Sequence, residues 1–106
     1  MPHADNLIVD ESKVVDYLLN PVKSRGKAGF FLRLGFRAEN WQQLAAALEA
    51  QAKSHLVVEK VDSPFGTRYI VDGAMVSPDG RTPLVRTVWI IEAASIATRL
   101  VTAYPL

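Results

Sequence analysis

Between Tyr17 and Ala38 the chain carries five basic residues, Lys23, Arg25, Lys27, Arg33 and Arg37, and no acidic one. Lys23, Arg25 and Lys27 alternate through a linker that opens a helix, and the free amides of a helix N-terminus already favour anions. Phosphate is the natural ligand of such a place. The same spacing also suits a solvated loop whose charges only aid solubility. Further along, Thr102 and Tyr104 lie two apart in a strand-like run and so share a face. There a hydroxyl can bond a phosphate and an aromatic ring can stack on a base. The plainer alternative is that Tyr104 covers the edge of the core and Thr102 is simply a good strand former. Arg68 and Arg86 are further strand cations. Alternation places Arg86 with Val88 and Ile90 on one face and Thr87 with Trp89 on the other. By the same count Leu100, Thr102 and Tyr104 share a face opposite Val101 and Ala103.

Other chemistries lack their parts. His3 falls near the N-terminus and His55 at a helix-to-strand junction. Neither belongs to a paired metal-ligand spacing, and no nucleophile elbow or phosphate-binding P-loop occurs. The absence of cysteine removes disulfides, thiolate zinc sites, iron–sulfur clusters and thiol nucleophiles. No metal and no cofactor is expected. The 12 basic and 11 acidic side chains sum to a net charge of +1, which excludes a strongly cationic nucleic-acid coat but leaves room for a local basic patch.

The elements that must position these residues follow from periodicity. Val14, Val15, Leu18 and Leu19 predict a first helix after Asp10 or Ser12, ended by Asn20-Pro21. A second helix is predicted from Gly26 or Lys27 to Leu34, stopped by Gly35, and a third from Asn40, with Gln43 completing a capping box, to about Lys53. After Ser54 the pattern turns extended. Strands are predicted over Leu56 to Asp62, Thr67 to Val76, Leu84 to Glu92 and Arg99 to Tyr104, with turns at Ser63 to Gly66 and Ser77 to Gly80. A run of helices and then of strands predicts an α+β fold, with about three N-terminal helices followed by a four-stranded antiparallel sheet. The expected core contains Val15, Leu18, Phe31, Leu44, Leu48, Val88 and Val101. At 106 residues and 49% hydrophobic, one domain over residues 1–106 is expected, with residues 1–7 a loose tail. The polar opening does not read as a signal peptide, and no apolar run is long enough to span a membrane, so the cytoplasm is the expected location.

Two resemblances add to this. Tyr17-Leu-Leu-Asn20-Pro21, Gly26-Lys27-Ala28 with Phe30-Phe31, and Leu34-Gly35-Phe36 resemble a family of small bacterial proteins forming a domain of unknown function. Phe65-Gly66-Thr67, Pro78-Asp79-Gly80-Arg81, Arg86-Thr87-Val88-Trp89-Ile90 and the ending Arg99-Leu-Val-Thr-Ala-Tyr104-Pro105 fit the same family. Secondly, the order of elements is similar to the barnase, EndoU and colicin-type ribonuclease fold of bacterial toxins. The ending Thr102-x-Tyr104-Pro105 is similar to the Thr/Ser-x-Tyr-Pro ending of EndoU-type nucleases. That resemblance implies RNA as substrate, Thr102 on phosphate or base, Tyr104 stacking on a base, and a small neutralising protein as partner. The histidine pair of EndoU-type enzymes has no counterpart here, and Val22-Lys23 follows Asn-Pro where family members often carry histidine. A perturbed lysine or a water-assisted transfer would replace the histidine base. Lys27 and Arg86 are the expected catalytic residues, and Lys23, Arg25, Arg68, Thr102 and Tyr104 the expected substrate contacts. The competing reading is a non-catalytic RNA-binding or protein-interaction module.

Overall fold

The computed structural model describes Met1–Leu106. Helix α1 (Glu11–Lys13) runs on as a π-helical turn over Val14–Leu18; α2 spans Arg25–Arg33 and α3 Trp41–Ser54. The strands are β1 (Leu7–Ile8), β2 (Val57–Ser63), β3 (Gly66–Ala74), β4 (Leu84–Glu92) and β5 (Thr98–Pro105), in one sheet ordered β1-β5-β4-β3-β2. The fold is α+β, and β2 to β5 form the expected antiparallel meander. The expectation of four antiparallel strands is corrected by β1. Leu7 and Ile8 pair in parallel with Thr98 and Arg99, which makes the sheet five-stranded and mixed. A two-residue strand has no readable period. It forms because β5 offers a free edge, and the Thr98 hydroxyl donates to the Pro2 carbonyl in the segment expected to be a loose tail.

Helices cover one face of the sheet. Val71, Val85, Trp89, Leu100 and Ala103 meet Val14, Leu18, Phe31, Leu44 and Leu48 there in a single apolar cluster. Leu18, Phe31, Leu44, Leu48 and Val88 are buried as expected, whereas Val15 and Val101 are only half-buried. Local geometry explains both departures. The Leu19 amide bonds the Val14 carbonyl at 2.8 Å, five residues back, and this widened turn carries Val14, Leu18 and Leu19 inward and leaves Val15 aside. Val101 sits at a bulge, between Thr102 opposite Val88 and Leu100 opposite Trp89. The expected capping box is also absent, since Asn40 precedes α3 without a side-chain capping bond.

One buried polar chain ties α3 to the sheet. Trp89 Nε1 donates to Thr87 Oγ1 at 2.8 Å, Thr87 donates to Gln51 Oε1 at 2.8 Å, and Gln51 Nε2 donates to the Val71 and Val85 carbonyls, each at 3.1 Å. No buried side-chain polar atom lacks a partner. The opposite face of the sheet carries no helix and is left to Arg68, Asp72, Arg86, Val88, Ile90, Thr102 and Tyr104.

Candidate functional site on the open edge of β5

The bulge at Val101 decides what this face presents. Plain alternation puts Leu100 with Thr102 and Tyr104; instead Leu100 joins Ala103 in the core, while Thr102 and Tyr104 stand opposite Val88 and Arg86. β1 pairs only with the start of β5, so the edge is unpaired beside Thr102 and Tyr104.

Lys27 reaches this edge from the first turn of α2. Its Nζ donates to Tyr17 Oη at 2.6 Å and to Thr102 Oγ1 at 2.9 Å. The same ammonium lies 4.8 Å from the Tyr17 ring centre and 5.7 Å from that of Tyr104, a cation between two aromatic faces. A lysine ammonium has three donors, and these contacts use two. Beyond Tyr104, Arg86 forms a two-pronged pair with Asp72, Nε to Oδ1 at 2.7 Å and Nη2 to Oδ2 at 2.8 Å. The fork uses two of five guanidinium donors.

The turn before α2 aims Tyr17 at Lys27. Asn20 Oδ1 accepts from the Val22 amide at 2.9 Å, folding Asn20-Pro21 into a side-chain-closed turn. Ser24 sits at the N-cap position of α2 but does not cap it; its hydroxyl donates to the Tyr17 carbonyl. Two consequences follow from that one bond. Tyr17 is pinned, and the first amides of α2 are left without a side-chain cap beside Lys27.

The charges perturb their neighbours in a consistent direction. Hydrogen bonds to Lys27 and Thr102 hold the Tyr17 phenol below its ordinary pKa, burial opposes this, and Lys27 and Lys13 add Coulombic support. The Asp72 carboxyl is lowered chiefly by its bond to Arg86. Arg86 is raised, first by Asp72 and then by the Tyr104 hydroxyl.

Of the seven residues singled out from sequence, Lys27, Thr102, Tyr104 and Arg86 form one contiguous group. Lys23 and Arg25 are exposed, in the turn before α2 and at its first position. Arg68 is exposed on β3, opposite Ile90, on the same sheet face but without a bond to the group. His55 is elsewhere, with Nδ1 at 2.7 Å from the Gln51 carbonyl and its ring so close to Gly73 that a Cβ there would lie 2.3 Å from it. Tyr17 and Asp72 were not legible as site residues. A helical tyrosine and a strand aspartate carry no spacing signal, although Tyr17 does open the Tyr-Leu-Leu-Asn-Pro motif. No group of three or more His, Cys, Asp or Glu side chains is assembled to hold a metal ion.

Fold and site together define a small α+β protein with a lysine-centred cluster of hydroxyls and aromatic rings on an open sheet edge. The chain belongs to the domain of unknown function family DUF6883, whose sequence model matches residues 1–106. No curated protein shows significant sequence similarity to it. Among solved structures, the fold is similar to a chain of a contact-dependent growth inhibition toxin–immunity protein complex from Klebsiella pneumoniae 342. The TM-score is 0.73 at 22% identity, covering 93% of this chain and 99% of that one.

Proposed function

We propose that this protein binds single-stranded RNA along the β5 edge and cleaves it without a metal ion, as a ribonuclease of the bacterial toxin kind. The observation that carries this reading is the convergence of Lys27 on Tyr17, Thr102 and Tyr104. In the reaction the 2′-oxygen attacks the adjacent phosphorus and the bond from phosphorus to the 5′-oxygen breaks. The products are a 2′,3′-cyclic phosphate and a 5′-hydroxyl. Tyr17, whose phenolate the Lys27 ammonium favours, takes the 2′-OH proton in that form, and Lys27 gives a proton to the departing 5′-oxygen. Proton return across their 2.6 Å contact restores the pair. The uncommitted donors of Lys27 and Arg86 stabilise the charge that builds on phosphate. Thr102 orients that phosphate and Tyr104 stacks on the base, a contact of about 1–3 kcal/mol. Lys23, Arg25 and Arg68 take flanking phosphates, and the uncapped amides of α2 favour the same charge.

Incubating the purified protein with total RNA and a chelator tests this. Fragments ending in 2′,3′-cyclic phosphate are expected. Lys27→Ala, Arg86→Ala and Tyr17→Phe should slow the chemical step, while Tyr104→Ala should act mainly through KM. A wild-type protein that neither binds nor cleaves RNA, with or without divalent metal, overturns the enzyme. The structural neighbour comes from a complex of a toxin with an immunity protein, which supports a small neutralising partner for this chain too. On this reading the protein acts on cellular RNA, in the cytoplasm.

A second reading has its own observation. Arg86 is already paired with Asp72 and no histidine stands in the cluster. Both favour a module that holds RNA or a small protein without cutting. Binding without fragments would select it.

A further inference from the structure

The one cleft in the molecule does not coincide with the Lys27 cluster. It lies at the other end of α2, has a volume of about 310 Å³, and is lined by Phe30, Arg33, Leu34, Arg81, Thr82 and Pro83. That is the lower end of the small-ligand range, roughly 300–1,000 Å³.

The cleft and the β5 edge lie along the same helix. Helix α2 packs along β5, with Lys27 at Thr102. Following both chains in the same direction, Tyr104 stands opposite Arg86, Pro105 opposite Val85, and the Leu106 amide bonds the Leu84 carbonyl at 3.1 Å. The next residue back from Leu84 is Pro83, in the cleft wall. Arg33 is six residues beyond Lys27, about 9 Å further along the helix axis. Its guanidinium folds back toward Lys27, close enough over Gly29 that a Cβ there would lie 3.1 Å from Nη1.

Hydrogen bonds hold the Arg81 side of the cleft. Arg81 is fixed by Asp79, Nε to Oδ2 at 2.6 Å and its amide to Oδ1 at 2.9 Å, and its Nη2 donates to the Arg33 carbonyl at 3.0 Å. The Asp79 amide bonds the Leu34 carbonyl at 3.3 Å, clamping this loop to the end of α2. Arg33 pairs with no acid. A free guanidinium, a second held one, and the flat apolar surfaces of Phe30 and Pro83 meet in one concavity.

We propose that this cleft is a second nucleotide subsite, in which Phe30 and Pro83 hold a base or ribose and Arg33 a phosphate of the same RNA strand bound at Lys27. This rests on the RNA reading above and extends it: the ligand is a single strand spanning the whole of α2, so short oligonucleotides miss part of the surface. Fluorescence anisotropy with a labelled diribonucleotide and a labelled decaribonucleotide tests it, on wild type, Arg33→Gln, Phe30→Ala and Lys27→Ala. Arg33→Gln is expected to weaken the decamer about tenfold. It should also flatten its salt slope by about 0.7 and leave the diribonucleotide unchanged. Phe30→Ala should follow the same length pattern, and Lys27→Ala should weaken both ligands. If Lys27→Ala weakens both while Arg33→Gln changes neither, RNA binding stands and the second subsite is wrong. Equal loss of both lengths in Arg33→Gln also overturns it. A wild type that binds neither oligonucleotide overturns the subsite together with the RNA reading.

Discussion

Lys27 and Tyr17 explain each other at the scale of single residues. A phenol next to an ammonium is easier to ionise, and an ammonium between two rings and two hydroxyls has few ways to turn. Spectrophotometric titration should show a phenol component that ionises below the ordinary tyrosine pKa. Tyr17→Phe should remove that component, and Lys27→Ala should return it toward the ordinary phenol range, because the largest cause of the shift is then gone. A wild type without such a component would mean that the 2.6 Å contact does not persist in solution. Gly73 is a second residue-scale constraint, because the His55 ring occupies the space of its Cβ. Gly73→Ala should destabilise the protein, and a His55→Ala change should relieve much of that loss in the double variant.

Elements are held by a few buried contacts that can be cut one at a time. Thr87 both accepts from Trp89 and donates to Gln51 in a fully buried place. Thr87→Val keeps the shape and leaves two buried polar atoms without partners, at a cost of about 1–3 kcal/mol each in a denaturant melt. Leu44 and Leu48 on α3 are fully buried, so either change to Ala should cost about 2–5 kcal/mol. Losses below about 1 kcal/mol at both would show that α3 is peripheral to the cooperative unit. The basic segment behaves differently, because the Lys23 and Arg25 side chains are exposed and form no ion pair. Neutralising them should barely move stability while flattening the salt dependence of the proposed RNA binding by about 0.7 per lost phosphate contact.

Across the whole molecule, acidity should act through two carboxylates, Asp72 linking β3 to β4 and Asp79 closing the Ser77 to Arg81 loop. Asp72 is lowered by Arg86 on the neighbouring strand, and Asp79 by the Arg81 amide and guanidinium and the Ser77 hydroxyl. Both have a folded pKa below the unfolded value of 3.8. Their contribution is therefore present above that value and lost as pH falls through the folded pKa. Tm measured from about pH 7 down to about pH 2.5 should decline in the acid range, and Asp72→Asn should differ from wild type at neutral pH and converge with it in acid. A constant difference at every pH would assign the effect to shape rather than charge.

The limits of what could be read from sequence follow from the range of the interactions. β2 to β5, α2 and α3 were legible because alternation, helical spacing and the turns at Ser63 to Gly66 and Ser77 to Gly80 are local properties. So was the shared face of Thr102 and Tyr104, two residues apart. The short β1 was not legible, since it exists only through pairing with Thr98 and Arg99 at the far end of the chain. Asp72 could not be matched to Arg86, because the register that sets them side by side belongs to two strands and not to either one. The bulge at Val101 was equally hidden: it lets Leu100 and Ala103 both enter the core, a demand made by the helices and not by the strand. Residue type and spacing by themselves singled out Lys27, Arg86, Thr102 and Tyr104 as candidates. Only the tertiary structure decided that Lys27 bonds Tyr17 ten residues before it and Thr102 seventy-five residues after it, because α2 packs against an edge that the strands create after it in the chain.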